Sequence, residues 1–479
     1  VTTETMPLTT DLPTAPQPTI RTTPDRPRRV AAPTRWRDLA AAAMWGSLLF
    51  VTGLWVAGGQ LQQMSSLGGI LDSWGRLTGL LASDLLLIQV LMMARIPLAE
   101  RAYGQDELAR RHRLIGFTSF TLMVAHIVLI TLGYAADSSA GLWGTIVDLV
   151  LNYPGMLLAV GGTVALCMVV ATSIKNARGR LRYESWHLIH LYGYLGAGLA
   201  LPHQLWTGAD FSASPAATLF WWGLWIAAAV AVVVFRIGRP LYTSWRHGLR
   251  VESVEHVNPT TTTVTVRGRD LDRLPTSAGQ FFQWRFLDGP GWTRAHPYSL
   301  SHAPDGRTLK VTVAHLGDGS ARTATLSPGT RVLVEGPYGR LHSGVRTQRK
   351  VLLLGAGIGI TPLRALLEDL EQGPGDVTMI YRAHSPADII WRDELTELAA
   401  SRGARLFFVT GVRVQGRDSW LPESAADLSD AEGLRQLVPD IAAHDVFVCG
   451  ASRWMDAAEQ AARDCGVPDA RIHAERFSY

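Results

Sequence analysis

Four histidines carry the densest chemical signal in this chain. His112 and His126 stand 14 residues apart in RRHRLIGFTSFTLMVAHIVLITLGY, and His190 and His203 stand 13 apart in YESWHLIHLYGYLGAGLALPHQLW. At about 1.5 Å of rise per residue, each pair spans roughly 20 Å of helix axis, which is two levels of one bilayer. An ionisable side chain in hydrocarbon is costly and marks a functional position by default. Two such helices side by side would clamp two stacked haems, each iron held between two imidazoles. Fourteen residues at about 100° each close to within roughly 40° of whole turns, so His112 and His126 share a face. Thirteen residues leave His203 about 140° away from His190 in an ideal helix. That helix must bend or widen, and Pro202, Gly193, Gly196 and Gly198 offer the means. His187, three residues before His190, is the rival ligand at the same level.

The elements that must position these residues follow from composition. Hydrophobic residues make up 47% and charged residues 18% of 479, with a mean hydropathy of +0.11, so the chain divides between membrane and water. Six apolar stretches, 38–58, 76–98, 112–134, 145–172, 185–206 and 217–236, are long enough to span a bilayer. Basic residues alternate between the loops: Arg28, Arg29, Arg35 and Arg37 precede the first span, and the second and fourth loops and the segment after the sixth span are also basic. The other three loops hold no Lys or Arg. The positive-inside rule then predicts an integral membrane protein with both termini cytoplasmic, His112 and His190 at the inner level and His126 and His203 at the outer. Residues 1–37, rich in Thr, Pro and Arg, read as a disordered cytoplasmic tail, with no secretory signal recognised. Asp84 inside the second span would relay protons or support a haem, or simply be satisfied within the bundle. Cys167, Cys449 and Cys465 form no metal-binding spacing, so no disulfide, zinc or iron–sulfur site is expected. The net charge of +4 is unremarkable, and no nucleic-acid partner is expected.

After residue 250 the texture changes to alternating strands with Gly/Pro turns, and from about 350 to a strand–helix alternation. The predicted fold is therefore an α-helical six-span membrane bundle, then an antiparallel β-barrel flavin domain, then an α/β parallel-sheet nucleotide-binding domain. The boundaries are 1–37 tail, 38–236 bundle, 237–249 linker, 250–345 flavin domain and 346–479 nucleotide domain. RAHPYSLSHAP offers flavin chemistry: Tyr298 to lie against the isoalloxazine, Ser299 to hydrogen-bond its edge, His296 and Arg294 as donors toward phosphate. LGDGSART adds a Gly-rich turn and the Ser320 hydroxyl for a pyrophosphate. VLLLGAGIGITPLRALL is a strand, a turn and a helix in which Gly355, Gly357 and Gly359 let the backbone approach a dinucleotide. Cys449 in VFVCGAS packs beside a nicotinamide or is a core thiol.

Taken together, residues 38–479 resemble the superfamily of membrane ferric reductases and NADPH oxidases, which join a six-helix dihaem domain to a ferredoxin–NADP reductase-like module. The histidines at 14 and 13 spacing, HPYSLS, GAGIGITP, the CG dipeptide and the terminal aromatic carry the resemblance. It implies two haem b groups on His112, His126, His190 and His203, and FAD held by His296, Pro297, Tyr298 and Ser299. It implies NADPH or NADH on Gly355 to Pro362, including Thr361, with Cys449 and Gly450 bordering the nicotinamide and Phe477 or Tyr479 stacking on the flavin. Electrons would pass from cytoplasmic NAD(P)H to an acceptor beyond the membrane, a ferric or other metal chelate; an oxygen-reducing oxidase and a haem-binding electron-transfer subunit are the alternatives. Three departures matter. His384 stands where many relatives have an Arg for a 2′-phosphate, with Arg382 nearby. CGAS replaces the commoner CGP turn. Ile130 stands where the oxidases have a further histidine, and the first span has no internal Arg.

Overall fold

The computed structural model describes residues 34–174, 183–289 and 294–476. Most of the expected tail, and the terminal Phe477 and Tyr479, lie outside the described residues. Among the described residues, five helices are long and apolar enough to cross a membrane. They are Thr34–Ala57, Leu67–Met93, Gln105–Ala136, Met156–Ser173 and a continuous run beginning at Pro215 and ending at His247.

Three expectations about the spans need revision. The stretch 145–172 is not one helix: a short helix, Gly141–Asn152, stops at Tyr153–Pro154–Gly155 before Met156–Ser173 begins. Pro154 has no N–H to donate, and Gly155 takes a left-handed φ of 82°, so the chain must turn there. The stretch 185–206 is a 24-residue helix, Tyr183–Trp206, but it is not among the five apolar enough to qualify; its His, Tyr, Gln and Gly content dilutes it. The presumed linker 237–249 is helical: a π-helical turn, Val232–Gly238, leads directly into Arg239–His247.

Glycines set the packing of the bundle. A Cβ on Gly75 would lie 2.9 Å from the Ile130 side chain, and one on Gly79 would lie 2.5 Å from the His126 ring. Glycines four apart let the second and third spans approach closely, as small residues do in membranes. Gly162 and Gly196 do the same for Met156–Ser173 against Tyr183–Trp206, each facing the other's carbonyl oxygen. Two tight antiparallel hairpins result, one carrying His112 and His126, the other His190 and His203.

The next module has six strands: β1 Arg250–Asn258, β2 Thr261–Arg267, β3 Phe281–Phe286, β4 His296–Ser299, β5 Thr308–Ala314 and β6 Val332–Tyr338. They form two antiparallel three-stranded sheets, β1-β2-β5 and β4-β3-β6. Single bridges at Arg250–Arg331 and Leu300–Val311 join the sheets into a barrel. Inward positions such as Val264, Phe282, Trp284, Leu300 and Val311 are fully buried and alternate with outward residues along β3, as period-two patterning requires.

The last module has strands β7 Lys350–Ala356, β8 Val377–Ala383, β9 Arg405–Thr410, β10 His444–Gly450 and β11 Ile472–Arg476. They form one parallel sheet in the order β11-β10-β7-β8-β9. The chain leaves β7 toward β8 and later returns to its other side with β10. The strand order therefore reverses between β7 and β10, and in such sheets the crevice outside those strand ends is where ligands bind.

Candidate functional site

One cavity of about 2250 Å3 runs from Asp72, Arg76 and Asp210 at one end of the bundle, past all four histidines, to His296 and Glu475 in the soluble modules. A pocket for one small molecule holds roughly 300–1,000 Å3, so this volume suits a row of groups.

The two hairpins bring the histidines together in the expected pairs. The ring centres of His112 and His190 are 5.9 Å apart, and those of His126 and His203 are 6.4 Å apart. An iron bound to two imidazole nitrogens at about 2.0 Å, with each ring centre about 1.1 Å further on, needs roughly 6 Å between centres. His126 Nδ1 lies 2.8 Å from the Gly75 carbonyl oxygen, so it must carry the proton and leave Nε2 as the lone-pair nitrogen. His203 Nδ1 lies 2.9 Å from the Thr207 hydroxyl, which is itself within reach of the Pro154 and His203 carbonyls as donor. His190 Nδ1 approaches the Ser173 hydroxyl at 3.4 Å. Nδ1 of His112 is buried beside the Gln89 main chain without a hydrogen bond of good geometry. Orienting partners of this kind on the second ring nitrogen are what metal-ligating histidines use.

Pro202 sits inside Tyr183–Trp206, and the Gly155 turn packs against the Pro202–His203 backbone, where a Cβ would lie 2.7 Å from the His203 nitrogen. Both rings, 13 residues apart, line the one cavity. His187 lines the cavity nearer the barrel, among Arg236, Arg285 and Glu335, and His190 is the residue opposite His112. Asp84 is fully buried away from the cavity lining and accepts a 2.6 Å hydrogen bond from Ser47 of the first span.

At the His126 end the structure supplies residues that sequence reasoning missed. Arg76 pairs with Asp72 at 2.9 Å and Asp210 at 3.7 Å, and Tyr134 lines the same wall. The GRLTG spacing around Arg76 was the available signal, since glycines four apart mark a close helix contact. Ile130 packs on Gly75 at this level.

In the barrel, β4 presents His296 and Tyr298 with stacked rings 5.7 Å apart. Ser299 Oγ is buried and has no partner among the described residues, which suits a group that a bound flavin would satisfy. A Cβ on Gly319 would lie 2.6 Å from the His296 ring, so the LGDGS turn lies against β4 and the two flavin motifs meet. Pro297 lines the cavity, as does Arg294. The Ser320 hydroxyl is occupied locally, accepting from the Leu316 and Gly317 amides and donating to the Gly317 carbonyl.

At the edge of the parallel sheet, Cys449 pairs in register with Gly355. A Cβ on Gly359 would lie 2.3 Å from the Cys449 carbonyl oxygen, so only glycine allows the turn after β7 to close on the end of β10. Gly357 holds φ at 54° with open space before it, and Gly450 is in turn packed against Trp454 and Ala356. Thr361 donates to the Ile358 carbonyl at 2.9 Å, and both it and Pro362 are buried in the first turn of Ile360–Asp369. Cys449 is fully buried within a hydrophobic cluster, and burial pushes its thiol well up. Arg382 faces inward and donates to the main-chain carbonyls of Trp420, Gly411, Val409 and Ala383, so its guanidinium is spent on structure. His384 is exposed.

Comparison with known proteins agrees with this division. Residues 78–201 match the family described as "Ferric reductase like transmembrane component", and residues 353–460 match "Oxidoreductase NAD-binding domain". The chain is 37% identical to the ferredoxin reductase component of 3-ketosteroid-9-alpha-monooxygenase from Mycolicibacterium smegmatis, over 43% of this chain and 57% of that one. It therefore spans little more than half the length of that relative. It is 30% identical to ferredoxin–NADP reductase B of Sorangium cellulosum, over 48% of this chain and 96% of that one. The FAD/NAD-binding domain of nitric oxide dioxygenase from Vibrio cholerae superposes with a TM-score of 0.39 at 22% identity, covering 48% of this chain and 99% of that one. The chain is a ferric reductase-like transmembrane component fused to a ferredoxin–NADP reductase-like FAD/NAD-binding module.

Proposed function

We propose that this protein takes electrons from cytoplasmic NAD(P)H and delivers them, through FAD and two b-type haems, to a ferric or other metal chelate beyond the membrane. In this reading Tyr183–Trp206 crosses the bilayer as the fifth of six spans; at about 1.5 Å per residue its 24 residues suffice, and it packs along Met156–Ser173. The observation that carries the reading is the pair of facing imidazoles at 5.9 and 6.4 Å on two levels of one cavity. Bound flavin supplies the conversion of a two-electron hydride into single electrons, and haem iron accepts electrons one at a time.

The chain's own residues do the positioning. His112 with His190, and His126 with His203, would hold the two haems, and the Gly75 carbonyl and the Thr207 hydroxyl orient two of those rings. His296, Pro297, Tyr298, Ser299 and Arg294 form the flavin wall, and Gly319 lets the phosphate-side turn close on it. Gly355 to Pro362 cradle the dinucleotide at the start of Ile360–Asp369, and Cys449 and Gly450 border its nicotinamide. Beside His126 the cavity wall combines Ile130 with the charged Arg76, Asp72 and Asp210.

A reduced-minus-oxidised spectrum of the purified protein tests this. It should show b-type haem, and His190→Ala should lose the inner haem while keeping the outer. Absence of haem from the wild type would end the reading, and unchanged haem in the variant would transfer the ligand role to His187. NADPH consumption should be sustained by a ferric chelate and not by oxygen alone.

A further inference from the structure

Among the contacts between the flavin module and the membrane bundle, strand β6 is held from both sides. On one side the helical extension of the last span reaches it: Ser244 Oγ donates to the Val334 carbonyl at 3.3 Å and accepts from the Val334 amide at 3.1 Å. On the other side the next residue, Glu335, faces Arg95, which follows the end of the second span, at 3.5 Å. Arg95 also bonds Glu100 at 3.2 Å and Gln105, and its guanidinium lies 4.3 Å from the centre of the Tyr338 ring. Tyr338 donates to Glu335 at 2.9 Å. Arg95 and Glu335 are both buried, at 8% and 7% exposure.

The backbone adds a second, independent observation. Arg95 has φ at 66°, immediately after the cap residue Ala94. That left-handed position after a helix is one glycine fills at no steric cost, and a long side chain there is strained. Helix termination does not need an arginine; the contact with β6 does. Arg95 and Glu335 also line the same cavity as His190 and His296.

We propose that Arg95 is the positioning residue that seats the flavin module against the bundle, its contact with Glu335 fixing the spacing between the flavin wall at His296 and the inner pair His112 and His190. The inference rests on the electron path proposed above. Because β6 pairs with β3, which pairs with β4, a shift of β6 carries the His296–Ser299 strand with it.

The test uses the full-length protein in nanodiscs, with Arg95→Gly, Glu335→Gln and the double variant. Arg95→Gly relieves the backbone, so the helix end is kept while the side chain is lost. Stopped-flow mixing with NADPH should show flavin bleaching at the wild-type rate and haem reduction slowed at least tenfold in each single variant. The double variant should be no slower than the slower single one, since both remove the same contact. Hydrogen exchange of the 96–105 amides should rise in all three, a readout independent of any cofactor. Haem reduction within twofold of wild type, at unchanged flavin and haem content, would overturn the proposal, as would unchanged exchange at 96–105. A wild type lacking haem would defeat the electron path instead, and the exchange measurement would still decide whether Arg95 seats the module.

Discussion

Replacing Gly79 by alanine separates a helix-packing role from a ligand-positioning one. A Cβ at this position would lie 2.5 Å from Nδ1 and 2.8 Å from Cε1 of His126. Ordinary contact between such atoms is about 3.5 Å, so the ring must retreat by about 1 Å. Metal–ligand distances tolerate only about 0.2 Å, so the displacement is several times what a bound iron accepts. The retreat also breaks the 2.8 Å bond that holds the His126 tautomer on the Gly75 carbonyl. The helix itself gains, because alanine is favoured over glycine in a helix interior by roughly 0.5–1 kcal/mol. The variant should therefore express and fold while losing the outer low-spin haem. Pyridine haemochromogen content should fall from two haems per chain toward one, and the difference spectrum should keep the inner-haem component. Gly223→Ala, where no heavy atom lies within 4 Å, is the matched control and should keep both haems. Two low-spin haems with wild-type spectra in Gly79→Ala would refute the claim that His126 is held in place by this contact.

Two further outcomes follow from the same geometry. Thr207→Val removes the partner of His203 Nδ1 and should weaken retention of the outer haem by about 10–100-fold, measured by haem transfer to apomyoglobin; equal retention would show that the hydroxyl does not orient the ring. In the segment between β6 and β7, burial and then the neighbouring Arg340 and His473 push His342 down to about 4, and its Nδ1 accepts from the Gly344 amide at 3.2 Å. Its folded pKa lies below the unfolded value of about 6.5, so stability is complete above that value and is lost as pH falls toward 4. The loss at pH 5.5 is about 1.4 kcal/mol. His342→Gln should flatten that part of the thermal-unfolding pH profile, and an unchanged slope would place the acid sensitivity elsewhere.

The readability of the fold differed sharply between its halves. Four strands of the parallel sheet were legible as apolar runs ending in a turn, and β7 with its Gly355–Gly359 turn lies where the pattern placed it; β11, with His473, Glu475 and Arg476 among its five residues, was not recognised as a strand. The span 145–172 was misread because Pro154 and Gly155 sit inside an otherwise unbroken apolar stretch, and hydropathy does not register a backbone turn. The linker at 237–249 was misread for the opposite reason. Its charge suggested an exit from the membrane, yet its apolar and polar residues alternate at helical period, with Ser244 and His247 buried on one face.

The sequence by itself determined which side chains are available and at what axial level: a covalent spacing and a fixed helical rise put four imidazoles on two planes. It also determined the loop charges and the glycine turns that a nucleotide needs, because those are properties of single segments. Tertiary structure set the separations of the facing rings, 5.9 and 6.4 Å, in the pairs that the axial levels had already predicted. It decided that Arg382 is spent on main-chain carbonyls, and that Arg76, Asp72 and Asp210 meet beside His126. It also decided that Arg95 reaches Glu335, 240 positions away along the chain. Such contacts depend on side chains from distant segments meeting in three dimensions, and no local periodicity encodes that.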